Sequence, residues 1–81
     1  TNENADDLFP CENIDEVERR GAHLGRKEYE SGTRLDPVDV MFRIQATDFS
    51  RYFDRKLSPR ENEVCRSAFL GEYKSLHNDR T

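Results

Sequence analysis

The chain has 81 residues, of which 33% are hydrophobic and 37% charged, and its formal net charge is −4. That length holds one small domain and sits near the lower limit for an independent core. No uninterrupted apolar run is longer than Val40-Met41-Phe42, far short of the roughly 20 residues that span a bilayer, so membrane insertion is not expected. The total charge conceals a split: Glu3, Asp6, Asp7, Glu12, Asp15, Glu16 and Glu18 all precede the first basic residue, Arg19. Residues 1–18 therefore carry −7 and residues 19–81 carry +3. A tail and a body of opposite sign can meet two partners, or the tail can fold onto the body's basic face.

Residues 1–12 mix Asn, Asp and Glu around one apolar island, Leu8-Phe9-Pro10, and read as a flexible acidic arm. From Asn13 the pattern changes. Asn13 suits an N-cap, Glu16 occupies the capping-box position, and Asp15, Glu16 and Glu18 suit the positive end of a helix dipole. The spacing of Ile14, Val17 and Leu24 predicts a helix from about Ile14 to Glu30, with Ser31-Gly32 as its stop. Gly21 and Gly25 inside it cost about 1 kcal/mol each relative to alanine, which implies either a break or a close approach by another backbone.

Asp36-Pro37 marks a second start, and Val38, Met41, Phe42, Phe49, Tyr52 and Phe53 are the expected bulk of the core. Thr47-Asp48 leaves two readings open there: one helix to Lys56, or two short ones. The third start is the clearest, with Ser58 as N-cap, Pro59 at the first position and Glu61 as the reciprocal capping acid. A helix from Pro59 to about His77 follows, its apolar stripe built from Val64, Cys65, Ala68, Phe69, Tyr73 and Leu76. No segment alternates with period two for any useful length, and no strand is predicted. The expected fold is all-α, a small bundle of three or four short helices over residues 13–81 preceded by the arm at 1–12.

Candidate chemistry is sparse. His23, His77, Cys11 and Cys65 are the soft metal ligands, and no two of them stand at a metal-binding spacing. A nucleophile pair of Cys65 with a histidine lacks an evident third group and pocket. No phosphate-binding glycine loop follows a strand. Paired acids such as Asp6-Asp7, or Glu61 with Glu63, are the expected solvated or capping groups. No catalytic residue, metal or cofactor is expected. Two cysteines without a disulfide-rich spacing point to free thiols in a reducing compartment such as the cytoplasm, and no signal-peptide pattern opens the chain.

Two surfaces qualify as binding candidates. The arm can steer by charge and insert Leu8 and Phe9 into a groove, while an exposed part of the last stripe, Phe69, Tyr73 and Leu76, can dock a protein. The second is a modest basic cluster, Arg51, Arg55, Lys56 and Arg60, near Tyr52 and Phe53 and suited to nucleic-acid contact, which would depend on Arg51, Arg55, Lys56 and Arg66.

The segment Arg66-Ser67-Ala68-Phe69-Leu70-Gly71-Glu72-Tyr73-Lys74, followed by Asp79, resembles the second helix of ribosome modulation factor, and Arg20-Gly21-x-x-x-Gly25 resembles that family's first-helix pattern in the same order. In this chain Phe69 and Tyr73 stand where the family has tryptophans, and about thirty more residues separate the two motifs. The resemblance implies a non-enzymatic helical protein that binds the ribosome and its RNA. Leu57-Ser58-x-x-Glu61-x-x-Val64-x-x-Ser67-Ala68 with Leu76 is similar to the last helix of the Hha family, which implies binding to a partner protein. Leu57 through Gly71 also looks like the opening helix of a LuxR-type helix-turn-helix, but only ten residues follow Gly71, too few for a recognition helix.

The expectation is a non-catalytic protein-interaction module, a small regulator, inhibitor or subunit of a larger assembly that docks through its C-terminal helix. The alternative is a translation regulator that binds the ribosome or RNA. Self-association is compatible with either.

Overall fold

The computed structural model describes residues 12–32 and 35–80, and these are all-α. Helix α1 spans Ile14–Glu30, α2 spans Pro37–Ile44, a 3-10 turn spans Phe49–Tyr52, and α3 spans Pro59–Arg80. The predicted arm, including Leu8, Phe9 and Cys11, lies outside the described residues except for Glu12.

Local chemistry explains each boundary. The Asn13 side chain accepts the Glu16 N–H at 3.2 Å and opens α1. At its far end the Ser31 hydroxyl donates to the Glu28 carbonyl at 2.6 Å, and Gly32 takes a left-handed turn at φ 90°. Asp36 accepts the Val38 N–H and Pro37 occupies the first turn of α2. Between the two open readings of residues 37–56, the structure has the interrupted one. Asp48 accepts the Ser50 N–H at 3.0 Å, and the Asn62 side chain accepts the Phe49 N–H at 2.7 Å, so the chain restarts as a 3-10 turn. For α3 the capping box is complete: Glu61 N–H donates to Ser58 Oγ at 3.1 Å and Ser58 N–H donates to Glu61 Oε1 at 2.9 Å. The helix runs three residues beyond the predicted end.

α1 and α3 lie side by side and run in the same direction. Val17, Gly21, Gly25 and Tyr29 are buried on α1, while Glu61, Cys65, Phe69 and Tyr73 are buried on α3, both at intervals of four. The two stripes meet level by level. Gly21 sits against the Cys65 backbone, Gly25 against that of Phe69, and the Tyr29 and Tyr73 rings meet edge to face at 5.4 Å. A Cβ on Gly21 would lie 2.5 Å from the Cys65 carbonyl oxygen, and one on Gly25 would crowd the Phe69 carbonyl oxygen at least as severely. The glycine pair thus marks a close helix crossing, as its spacing suggests, rather than a break.

Parallel helices need a return path, and residues 35–58 supply it by descending along α3. Tyr73 donates its hydroxyl to the Leu35 carbonyl at 2.6 Å, Arg66 reaches the Ile44 and Thr47 carbonyls at 3.1 and 3.0 Å, and Ser50 Oγ accepts the Leu57 N–H at 2.7 Å. The core is Val17, Tyr29, Val40, Phe49, Leu57, Cys65, Phe69 and Tyr73.

This composition corrects the expected core. Phe49 is buried, but Val38, Met41 and Phe42 are 53%, 41% and 64% exposed. A helix of eight residues turns only one side inward, and on α2 that side holds Val40 and the partly buried Ile44. Val38, Met41 and Phe42, at positions i, i+3 and i+4, share the opposite side.

Candidate functional site

Phe69 and Tyr73, expected on a docking surface, are 6% and 0% exposed, and Leu76 is partly buried. The reason is the glycine pair. With the α3 backbone drawn against Gly21 and Gly25, the Phe69 ring packs on Phe49 at 5.9 Å and the Tyr73 ring on Tyr29 at 5.4 Å, so the aromatic stripe is consumed as core. These positions do not form an exposed patch. Leu8 and Phe9, the other expected docking residues, lie outside the described residues.

The basic cluster is also largely occupied. Arg55 grips Glu61 through two parallel hydrogen bonds, Nη1 to Oε1 at 3.0 Å and Nη2 to Oε2 at 2.8 Å, and also reaches Glu16 at 3.1 Å. Lys56 pairs with Asp48 at 3.0 Å. Arg66 pairs with Glu63, donates to two backbone carbonyls and lies 5.7 Å from the Phe49 ring centre. Arg51 rests over the Tyr52 ring at 5.5 Å. Arg55, Lys56 and Arg66, expected to contact phosphates, are therefore committed to carboxylates of the same chain.

Glu61 explains why Arg55 is so engaged. The parallel arrangement brings the N-termini of α1 and α3 together, so two positive dipole ends adjoin. The buried Glu61 carboxylate lies between them, accepting the Asn13 N–H at 3.0 Å and the Ser58 N–H at 2.9 Å in addition to both Arg55 bonds. Arg55 foremost, and the two backbone donors with it, hold the Glu61 carboxyl down at about 2 from an ordinary 4.5. Glu16, read as the capping acid of α1, gives up that role because Glu61 already takes the Asn13 N–H. Glu12 extends the same end, accepting from the Ser58 hydroxyl at 2.6 Å and pairing with Arg60 at 3.6 Å. Every acceptor here is used, so the arrangement is structural.

Other candidates hold less. An open cleft of about 610 Å³ lies among Glu16, Arg19, Arg20, His23, Phe53, Asp54 and Arg55. Its acids and bases largely offset each other, and Arg20 is spent on the Tyr52 carbonyl at 3.0 Å and the face of Phe53. Cys65 is buried, and that burial pushes its thiol up to about 11, the reverse of a reactive cysteine. Among the described residues, no group of three His, Cys, Asp or Glu side chains could hold a metal ion, and no helix is long and apolar enough to cross a membrane.

The outer side of α2 remains. Val38, Met41 and Phe42 form an apolar ridge, flanked on one edge by Asp39 and extended by Gln45. Arg43 keeps a loose pair with Glu28 of α1 at 3.4 Å. Tyr52, also exposed, adds to the open apolar surface of the 37–52 segment. Sequence periodicity carried the signal for this ridge, since a short helix with apolar residues at five of its eight positions has more than one side can bury. Comparison with protein-family models, with curated proteins and with solved structures finds no match to this chain.

Proposed function

We propose that the protein is a non-catalytic interaction module, a small regulator or subunit that docks onto another protein through the outer side of α2. The observation that carries this is the ridge of Val38, Met41 and Phe42 on a helix whose other side is anchored in the core. An apolar triad at i, i+3 and i+4 is the pattern by which a helix seats in a groove, with a central aromatic as the main anchor. Full burial of such a side chain is worth roughly 1.5–3 kcal/mol, and at these exposures about half of that is left unrealised at each position. The fold stabilises itself without them.

The ridge replaces the C-terminal helix as the docking element, because the aromatic side chains of α3 are committed to the core. A ribosome- or RNA-binding role has less support, since Arg55, Lys56 and Arg66 are held by Glu61, Asp48 and Glu63. The test is capture from native lysate on the immobilised wild-type chain and on Phe42→Asp, at low and moderate salt with nuclease treatment. A protein retained through nuclease and salt by the wild type, and lost with Phe42→Asp, supports the reading. Retention of nucleic acid that disappears with salt and ignores Phe42→Asp overturns it.

A further inference from the structure

We infer that the cleft between α1 and residues 40–52 is a second docking site, which seats one large apolar side chain of an acidic peptide segment belonging to a partner. The inference does not rest on the ridge: Val38, Met41 and Phe42 do not line this cleft. Shape, size and charge carry it.

The cleft is built on the outer surface of the core. A recess of about 200 Å³ has Val40, Phe49 and Phe69 as its floor. Tyr52 forms a wall, 41% exposed and tilted against Phe49 with ring centres 6.0 Å apart. A neighbouring recess of about 180 Å³ shares Phe69, Tyr52 and Glu28 with the first and adds Leu24. The backbone that carries the wall is held in place, since Arg20 donates to the Tyr52 carbonyl at 3.0 Å and the Phe53 N–H donates to the Ser50 carbonyl at 2.9 Å. A site already formed loses little conformational freedom when it is filled.

Size selects the kind of occupant. Cofactors and drug-sized ligands take about 300–1,000 Å³. A recess of about 200 Å³ suits a single Phe, Leu or Met side chain, an anchor seated from a longer chain whose other contacts lie on the rim. The three floor side chains carry no polar atom, so the anchor is an alkyl or aryl group rather than a nucleobase, whose edges would lie there without hydrogen bonds.

Charge selects the segment around the anchor. Arg43 and Arg51 line the first recess and Lys27 the second, while Glu28 is the one carboxylate on either, and Asp36 and Asp39 of α2 line neither. Among the described residues, Lys27 and Arg51 make no ion pair. Arg43 holds Glu28 loosely at 3.4 Å with a side chain 56% exposed, so it can accept a second carboxylate. Arg55, Lys56 and Arg66, by contrast, are tied to acids of their own chain at closer range. Carboxylates on either side of the anchor meet three cations here, whereas a basic segment would be repelled.

Nitrogen–proton NMR of the full 81-residue chain, titrated with the end-blocked peptide Asp-Asp-Phe-Asp to about 2 mM, reads this directly. The expected result is a set of shifts centred on Leu24, Lys27, Arg43 and Tyr52, with dissociation in the range of about 0.1–1 mM that weakens as salt is raised. Asn-Asn-Phe-Asn and Asp-Asp-Ser-Asp each bind at least about tenfold more weakly, the first for want of charge and the second for want of an anchor. Arg51→Glu and Lys27→Glu, both at exposed positions, each weaken binding at least about threefold, with circular dichroism as the folding control. Phe42→Asp binds as wild type does. Absence of shifts, shifts centred on the ridge or on the Arg19 and His23 side of α1, or equal binding of the uncharged peptide overturns the proposal. So does indifference to both charge reversals, or tighter binding of phenylacetate or of a uridine oligonucleotide at the same residues. Because Phe42→Asp leaves this cleft whole, failure here and failure of the ridge as a docking surface are read separately.

Discussion

The seam between α1 and α3 and the outer side of α2 solve opposite problems with the same 3.6-residue periodicity. Along the seam every position is committed. Two glycines admit the opposing backbone, Cys65, Phe69 and Tyr73 fill what remains, and Glu61 satisfies the adjoining helix starts. On α2, Val40 and Ile44 supply the anchorage while Val38, Met41 and Phe42 point away from it. A stripe that a domain needs for its own stability cannot also be free for a partner. In so small a chain, the available apolar surface is the part left over after the core has closed.

The sharpest way to break this contrast is Gly25→Ala. The new methyl would overlap the Phe69 carbonyl, a backbone atom that no rotamer change can move. The helices must separate, and a loss of about 3 kcal/mol or more in unfolding free energy is expected from chemical denaturation. The same substitution at Gly71, where a Cβ meets nothing within 4 Å, relieves a helix-interior glycine and should stabilise by about 0.5–1 kcal/mol. If the two variants shifted stability alike, the close crossing would not be what holds α1 on α3.

Glu61→Gln tests the seam's charged end. The variant keeps the shape, removes the charge from a fully engaged buried site and leaves Arg55 with Glu16 alone. A loss of about 3 kcal/mol at neutral pH is expected. Its pH dependence has a definite sign. Because the folded-state pKa is depressed to about 2 from 4.5, the unfolded chain binds more protons between those values. The Glu61 contribution is complete above about pH 4.5 and disappears as pH falls toward 2. Wild type and Glu61→Gln should therefore converge in stability across that window, as followed by urea titration at stepped pH. A gap that persists unchanged at pH 2 would mean that shape rather than charge sets the cost.

Much of this architecture was legible in the sequence because it is local. Asn13, Asp36-Pro37 and the Ser58/Glu61 box mark where helices begin, and each works through atoms two or three residues away. Gly21 and Gly25 announce a close approach but not with whom, since their partners lie 44 residues downstream. The second duty of Glu61 has the same opacity: Asn13 is 48 positions away, and nothing in the sequence shows that α1 and α3 run parallel. The exposed apolar side chains were expected on α3 rather than α2 for a related reason. Both apolar stripes were visible, but which one the core would consume depends on distant partners: Phe49 lies 20 residues before Phe69, and Tyr29 lies 44 before Tyr73.

Cys65 offers an independent gauge of how tightly the seam is shut. Burial raises its thiol to about 11, so an alkylating reagent at pH 8 should modify it only when α1 and α3 part, with a rate that tracks global unfolding. Gly25→Ala should accelerate labelling at Cys65 by about as much as it raises the open population, whereas Phe42→Ser should leave the rate unchanged. Fast labelling of Cys65, read site by site or in a Cys11→Ser chain, would place a local opening in the seam and weaken the contrast with α2.

The smallest expected effect is the most diagnostic of the α2 side. Phe42→Ser removes the most exposed large apolar side chain in the described structure, one on the side of α2 that faces away from Val40. A core phenylalanine truncated in this way costs about 3–5 kcal/mol. Here the denaturation midpoint should move by no more than about 0.5 kcal/mol, because the folded and unfolded states leave the ring similarly hydrated. A change that leaves folding intact but alters association separates a surface kept for contact from one kept for stability. If Phe42→Ser instead unfolded the chain, its ring would belong to the core, and the distinction between the two regions would fail at its most exposed residue.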